Sequence, residues 1–529
     1  MKNRYKIWIW ALAGCLFCAC SDERDAHYER SEALPEENLM ELMSQHSDLS
    51  IFTQLVKIAA YDSLLTSNQT FTVWAPVNES FSDVDLNTLD REQARLIAGN
   101  HIARFNHSTS TAPGKSIRMI DKKMYTFADG GASFGNAHLV RQDMLAKNGL
   151  LHSIDARILY QYNLYEYILS MPQTSKLAAF VRSFDEELFD ESLSLPIDVD
   201  ANGQTVYDTV TVSYNRLFDN PFLGLGQINR EDSLYTMIIP DNDAWDAAYA
   251  RISPYFRVYH ASAAYADSVR DTRTSLAILE NLIYRGRIDQ PALLDSLVST
   301  APSVISNPSD LFYGSVPVIA SNGIIFQTPE LRYDNTETWN KNIMVESDIA
   351  TGRTIGTNTT VYTQTVTEGE AIPVSDYRYI EVQATSPTTQ PSITFELPDI
   401  LAGPYDLYVE FIPGSISGMP NDSTKLMFEL TYANASGRPT SSLINSASLV
   451  TSGTQKVKMK VLSQFEFSYS NCYDRLWQID YLNGLYNITD RVTTNKLMIR
   501  TNVTAAEMNN NIFSRRFRID RIILEAVRR

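Results

Sequence analysis

Twice in this chain an alternating apolar strand ends at a proline and gives way to an Asn-containing turn that opens a helix. Each time an Asn-Gly turn launches a second apolar strand further on. Such a repeat narrows the fold sharply, because self-similar segments ask for one supersecondary unit used twice. The first copy reads Thr70-Phe71-Thr72-Val73-Trp74-Ala75-Pro76-Val77-Asn78-Glu79-Ser80-Phe81. Phe71, Val73 and Ala75 alternate, and Pro76, which has no N–H for a ladder, stops the strand. Its Asn-Gly turn is Asn148-Gly149, leading into Leu150-Leu151-His152-Ser153-Ile154-Asp155. The second copy reads Ser233-Leu234-Tyr235-Thr236-Met237-Ile238-Ile239-Pro240-Asp241-Asn242, with Asn322-Gly323-Ile324-Ile325-Phe326 as its later strand. Helical spacing of Phe52, Leu55, Val56, Ala59 and Leu64 predicts a helix ahead of the first strand, and 177–184 predicts its counterpart. Ala94, Ile97, Ala98 and His101 predict a further helix over 90–105.

The two stretches of the first copy resemble the fasciclin domain, whose patterns run roughly Thr-Val-Phe-Ala-Pro-Thr-Asn-x-Ala-Phe and Asn-Gly-Val-Ile-His-x-Ile-Asp-x-Val-Leu. Phe71, Val73, Trp74, Ala75, Pro76, Asn78 and Phe81 carry the first, and Asn148, Gly149, His152, Ile154 and Asp155 the second. The resemblance covers residues 39–160 and implies an α+β wedge used mainly for adhesion and extracellular binding. It implies that His152 packs the motif and catalyses nothing. Residues 161–333 resemble a diverged second copy, with Phe326 and Gln327 where the first has His152 and Ser153, and with an insertion between about 185 and 232.

From residue 334 helical spacing gives way to short alternating runs separated by turn residues, the pattern of an antiparallel β-sandwich. Gly403 to Phe411 and Phe517 to Leu524 loosely resemble strands of carbohydrate-binding-module jelly rolls. The expected fold is therefore multidomain: two α+β fasciclin-like domains, then an antiparallel, jelly-roll-like β-sandwich over 334–529. Between its clear strands Tyr473, Trp477 and Tyr481, with Tyr469 and Tyr486 nearby, offer a candidate aromatic platform for a ligand, against the competing and favoured reading that most of them pack in the core.

The N-terminus carries Lys2, Arg4 and Lys6 and then an uncharged apolar run to Ala19, the layout of a secretory signal over 1–19. Leu16-Phe17-Cys18-Ala19-Cys20 resembles a bacterial lipobox, which would make Cys20 the lipidated first residue. Leu12-Ala13-Gly14-Cys15 also fits, but cutting there leaves a very short apolar region, so Cys20 is preferred. Residues 20–38 are acid-rich and read as a solvated tether. Acidic residues just after the acylated cysteine resemble surface-export signals of Gram-negative lipoproteins, so the expected location is the outer membrane, lipid-anchored and surface-exposed. The chain has 529 residues, too long for one core, and carries a formal charge of −17, which opposes a phosphate backbone and argues against nucleic acid. With four cysteines, three of them before residue 21, no disulfide framework is expected.

Motifs with catalytic or metal-binding chemistry all have a plainer reading. Gly131-Ala132-Ser133-Phe134-Gly135 has the spacing of a nucleophile elbow but lacks the following helix, so a β-turn is expected. Asp198-x-Asp200-x-Asn202-Gly203 begins like a calcium loop, yet Thr209 stands where a bidentate Glu is needed, and alternation on both sides favours a hairpin. The seven histidines lack metal-ligand spacing. Arg515, Arg516, Arg518, Arg521, Arg528 and Arg529 alternate with apolar residues and read as the wet face of an edge strand. No cofactor or metal is expected. The function expected is non-catalytic adhesion or ligand binding, with polysaccharide or a surface protein as partner. The competing readings are an accessory subunit of an outer-membrane uptake complex for glycans or peptides, and a surface glycan hydrolase.

Overall fold

The computed structural model describes residues 35–111, 114–189, 195–199, 205–208, 211–369, 371–446, 449–471 and 495–527. Cys15, Cys20, the signal, most of the tether, Tyr473, Trp477, Tyr481, Tyr486, Arg528 and Arg529 lie outside the described residues. The chain divides into two compact units, Met1–Tyr162 and Asn163–Arg529. Among the described residues no helix is long and apolar enough to cross a membrane.

The first unit opens with helices α1 (Leu39–Gln45), α2 (Ser50–Ile58) and α3 (Asp62–Leu65), followed by strand β1 (Phe71–Pro76) and helix α4 (Arg91–Gly99). Strands β2 (Ile102–Arg104), β3 (Ser116–Arg118), β4 (Met124–Ala128), β5 (Ser133–Phe134), β6 (Ala137–Ala146) and β7 (Gly149–Ile154) complete it. They form one sheet in the order β2-β1-β7-β6-β5-β4-β3. Helix α4 starts where Asp90 caps it, the Gln93 amide donating to Asp90 Oδ1 at 2.8 Å while Gln93 Oε1 accepts from the Asp90 amide at 3.1 Å. It ends at Gly99, shorter than its spacing predicts, because 102–104 pair antiparallel with 71–73 as β2. His101 is therefore a turn residue and not part of a helical face.

Strand β1 is buried at all six positions, as is its parallel neighbour β7. Phe71, Val73 and Ala75 face a core built with the helices, including Leu55, Phe52 and Ala98. Trp74 and Ile154 lie in a second core with Phe127 and Phe134. The sheet thus has apolar cover on both faces, which is why burial does not alternate along its central strands.

The second unit begins with α5 (Leu164–Ser170) and α6 (Ser175–Arg182). The insertion supplies β8 (Asp185–Phe189), β9 (Leu195–Val199), β10 (Thr205–Asp208) and β11 (Thr211–Asn215), with β8 pairing β11 and β9 pairing β10. The β9–β10 pairing is the hairpin that alternation favoured over a calcium loop; its turn lies outside the described residues. Next come β12 (Tyr235–Pro240), α7 (Asn242–Ile252), α8 (Ala263–Leu279), β13 (Ile283–Arg285), β14 (Leu297–Val298), β15 (Val304–Ile305), α9 (Pro308–Leu311), β16 (Val316–Ala320) and β17 (Gly323–Thr328). Their sheet runs β13-β12-β17-β16.

In the rest the regular elements among the described residues are nearly all strands: β18 (Ile343–Glu346), β19 (Arg353–Ile355), β20 (Thr359–Thr365), β21 (Arg378–Ala384), β22 (Ser392–Leu397), β23 (Gly403–Phe411), β24 (Leu426–Ala433), β25 (Pro439–Ile444), β26 (Val457–Phe467), β27 (Asn495–Thr501) and β28 (Arg516–Ala526), with α10 (Ala505–Asn509) before the last. One sheet runs β20-β21-β28-β23-β26 with β18 beside β28, and the other runs β19-β22-β27-β24-β25. Val409, Phe411, Phe517 and Ile519 of the first sheet share one core with Phe395, Phe428, Leu497 and Ile499 of the second.

Strand β28 overturns the edge-strand reading of the C-terminal arginines. It is paired on both sides, by β21 and β23. Arg518 is 2% exposed, its guanidinium 2.7 Å from Glu381 Oε2 and 3.0 Å from Asp422 Oδ2. Arg521 lies 3.1 Å from Glu410, which Lys456 also meets at 2.8 Å. Burial pushes the Glu410 carboxyl up, but Lys456 and Arg521 more than offset it and hold it below the usual range. For the neighbouring Asp520 burial wins over Lys456, and its carboxyl is raised. Arg518→Met leaves Glu381 and Asp422 with only the more distant Arg516, at 3.5 and 3.6 Å, so a loss at the low end of the range for a broken buried pair, about 3 kcal/mol, is expected in urea unfolding of the second unit. A loss below about 1 kcal/mol would mean the pairs are solvated.

Candidate functional site

The motif residues of the first copy meet where β1 and β7 run side by side in register, Phe71 opposite Gly149 and Pro76 opposite Ile154. Gly149 has φ +154°, and a Cβ there would stand 1.8 Å from the Phe71 carbonyl oxygen. Asn148 ties this corner to the helices: its Nδ2 donates to the carbonyls of Leu65 at 2.7 Å and Ser67 at 2.9 Å, and its Oδ1 accepts from the Leu39 amide at 2.9 Å. At the other end Asn78 accepts from the Ile51 amide at 3.0 Å and donates to Ser47 O at 3.0 Å. Thr72 bridges the Phe105 carbonyl and the His107 amide at 2.8 and 2.9 Å.

The second copy repeats these contacts. Tyr235 stands opposite Gly323 and Pro240 opposite Thr328, and a Cβ on Gly323 (φ +153°) would stand 1.8 Å from the Tyr235 oxygen. Asn322 donates to Ile228 O and Arg230 O at 2.7 and 2.9 Å and accepts from the Leu164 amide at 2.9 Å. Asn242 accepts from the Lys176 amide at 3.0 Å and donates to Pro172 O at 3.1 Å. Thr236 bridges Gly286 O and the Ile288 amide, both at 2.8 Å. The side chains at these corners are used to join strand to helix.

Trp74 is fully buried, stacked on Phe134 at 4.0 Å with 8° between planes, and near-parallel to His152 at 5.5 Å. Phe81 is buried and stacks on Phe52 at 6.5 Å. His152 Nδ1 accepts from the Asp143 amide at 3.1 Å and Nε2 donates to His107 O at 3.0 Å. Both ring nitrogens are thus engaged by backbone and neither can reach a substrate. Burial pushes the His152 imidazole below its ordinary value. Asp155 alone of the motif is exposed; its carboxylate accepts from the His138 amide at 2.8 Å. Ser133 is buried on β5 with its hydroxyl donating to Asp129 Oδ2 at 2.8 Å, in a turn with no helix behind it. Among the described residues no group of three His, Cys, Asp or Glu side chains could hold a metal.

Helical spacing put His101 on a helix face and gave no sign of the two backbone bonds it makes in the structure. Its Nδ1 donates to Ile97 O at 2.8 Å and its Nε2 accepts from the Ile158 amide at 3.0 Å, which fixes a neutral ring. Complete burial pushes its imidazole down to about 4. An unfolded histidine takes its proton near 6.5, so below that pH the unfolded chain binds more protons than the folded one. Stability of the first unit is expected to be whole above about pH 6.5 and to fall by about 3 kcal/mol as pH drops toward 4. Urea midpoints between pH 7.5 and 4.5 measure this, and His101→Gln should flatten the slope.

Comparison with known proteins gives one family: residues 47–160 match the fasciclin domain. No curated protein matches the chain. Similar solved structures include a FAS1 domain pair from the insect cell adhesion molecule fasciclin I, at 13% identity and TM-score 0.20 over 55% of this chain and 98% of that one. A CBM22 tandem domain from Paenibacillus barcinonensis Xyn10C matches at 7% identity and TM-score 0.22, over 35% of this chain and 50% of that one. A Paenibacillus xanthan lyase matches at 15% identity and TM-score 0.21, over 36% and 13%. Scores this low do not establish a shared fold across the chain. The family match falls on the strands, turns and capping asparagines described above: residues 47–160 are a fasciclin domain.

Proposed function

We propose that the chain is a lipid-anchored cell-surface protein that binds polysaccharide or a surface protein without turning it over. In this reading residues 161–333 are a second, diverged fasciclin-like domain and 334–529 a jelly-roll-like β-sandwich. The observation that carries it is the fasciclin domain at 47–160, a family associated with adhesion or ligand binding, whose motif side chains are engaged by the fold itself. The hydrogen bonds shared by Asn148 and Asn322, and by Asn78 and Asn242, support the second copy. The two sheets sharing one core support the sandwich. The lipobox ending at Cys20 supports the anchor, whose acyl chains would hold the protein to the outer membrane.

Cys20→Ser is expected to release the protein from the membrane fraction and abolish fatty-acid labelling, whereas Cys15→Ser should leave labelling intact. The reverse pattern would move the anchor to Cys15, and labelling of neither would end the lipoprotein reading. Adhesion is tested by binding of the purified chain to surfaces coated with extracellular polysaccharides and with surface proteins. Retention on at least one is expected, and retention on none would contradict the proposal.

A further inference from the structure

In the first unit the two ends of the seven-stranded sheet meet: Ala103 of β2 bridges Met119, just past β3, and the Ile120 amide donates to Ile102 O at 2.9 Å. Ala103 and Met119 are buried, so the next residue along each antiparallel backbone, Arg104 and Arg118, turns outward, and both are exposed. Like charges side by side across two strands repel. Their other strand neighbours, Phe71 and Met124, bring no acid. His107 Nε2 donates to Arg104 O at 2.8 Å, and burial, then the charge of Lys115, push its imidazole down, so the Lys115 ammonium stands near the same corner. Between residues 100 and 128 the chain carries Arg104, Lys115, Arg118, Lys122 and Lys123 against one acid, Asp121. Lys123 is buried over the Tyr160 ring at 4.8 Å; the other four are exposed. Among the described residues none of those four side chains has a carboxylate or a hydrogen-bond partner.

Phe105 follows Arg104 at φ +68° and is 71% exposed. In the second copy Gly286 holds the matching place: Thr236 donates to its carbonyl as Thr72 does to that of Phe105, and the two amides donate to Leu234 O and Thr70 O, both at 2.8 Å. Glycine suits this left-handed backbone. The first copy instead keeps an aromatic ring there, in water, beside uncompensated cations.

We infer that Arg104, Arg118, Lys115 and the Phe105 ring bind an acidic polysaccharide whose sugars carry carboxylates. The planar guanidinium forks match carboxylates, and the ring offers an apolar face to the C–H side of a sugar. A duplex presents a charge about every 1.7 Å, and a chain of formal charge −17 repels so dense a polyanion. A uronate chain carries fewer charges, with apolar C–H surface between them. An anionic membrane asks for a broader apolar face than one ring supplies. The inference rests on the proposed ligand-binding role and names its ligand class, at a place independent of the platform at Tyr473, Trp477 and Tyr481.

The test is binding of the mature chain to immobilised polygalacturonate and alginate, with neutral dextran and phosphatidylglycerol vesicles alongside. At least one polyuronate is expected to bind, more weakly as salt rises from about 50 to about 500 mM. Affinity should fall at least about 10-fold in the double variant Arg104→Gln, Arg118→Gln, whose side chains are exposed and support no core. Phe105→Gly should weaken binding several-fold without lowering the melting temperature, a split that a merely structural ring would not give. Arg285→Gln, at the position of the second copy that matches Arg104, should change nothing. Unchanged affinity in the double variant, equal binding of dextran, or binding to the vesicles alone would overturn the inference. So would silence of both polyuronates toward a chain that still adheres to other coated surfaces, an outcome that leaves the proposed function standing. Failure of adhesion on every surface would instead remove the proposed function itself.

Discussion

Gly149→Ala is expected to unfold the first unit. The new methyl would start 1.8 Å from the Phe71 carbonyl oxygen, inside the β1–β7 register, at a φ of +154° that L residues rarely adopt. Relief would require parting the two central strands, which carry both cores on their faces. A cost above about 4 kcal/mol follows, most of the stability of a small domain. Gly130→Ala is the control: its φ is +68°, nothing lies within 4 Å of the new carbon, and about 1 kcal/mol is expected. Gly323→Ala should repeat the Gly149 effect in the second unit, because its Cβ would meet the Tyr235 oxygen at the same 1.8 Å. Thermal melts followed by circular dichroism would separate these cases. A Gly149→Ala protein that melts within a few degrees of the parent would mean that the parallel pairing is wrong.

Trp74→Ala should cost about 3–5 kcal/mol, the usual penalty for removing a large buried aromatic. The ring is enclosed by Phe134 at 4.0 Å, His152 at 5.5 Å and Phe127 at 5.6 Å, so little of the gap can close. Trp74→Phe should cost much less, about 1–2 kcal/mol, because it leaves a smaller cavity and because the indole Nε1–H has no acceptor among the described residues to lose. Urea unfolding of the three proteins measures both numbers. Equal costs for the two substitutions would show that a hydrogen bond, and not packing, holds the ring.

The parts of this fold that sequence announces are those with rigid backbone demands. A proline can end a ladder, and only glycine tolerates the approach at Gly149 and Gly323, so both copies declare their central strands in the residues themselves. His101 was misread because helical spacing cannot register that Ile102 and Ala103 gain more by pairing with β1 than by extending α4. The C-terminal arginines were misread for a related reason. Alternation of Arg516 and Arg518 with Phe517 and Ile519 looks the same on an edge strand and on a central one. What decides is Glu381 and Asp422, far away in sequence and brought against the guanidinium only by the sheet.

The claim on which the rest depends is binding without turnover. It is tested most directly by incubating the mature chain with each polysaccharide of a surface-glycan panel and following retention and newly released reducing ends in the same sample. At least one glycan is expected to be retained, with reducing ends at the level of the protein-free control. Release that grows with time and with protein concentration would make the chain a glycan-cleaving enzyme and contradict the claim.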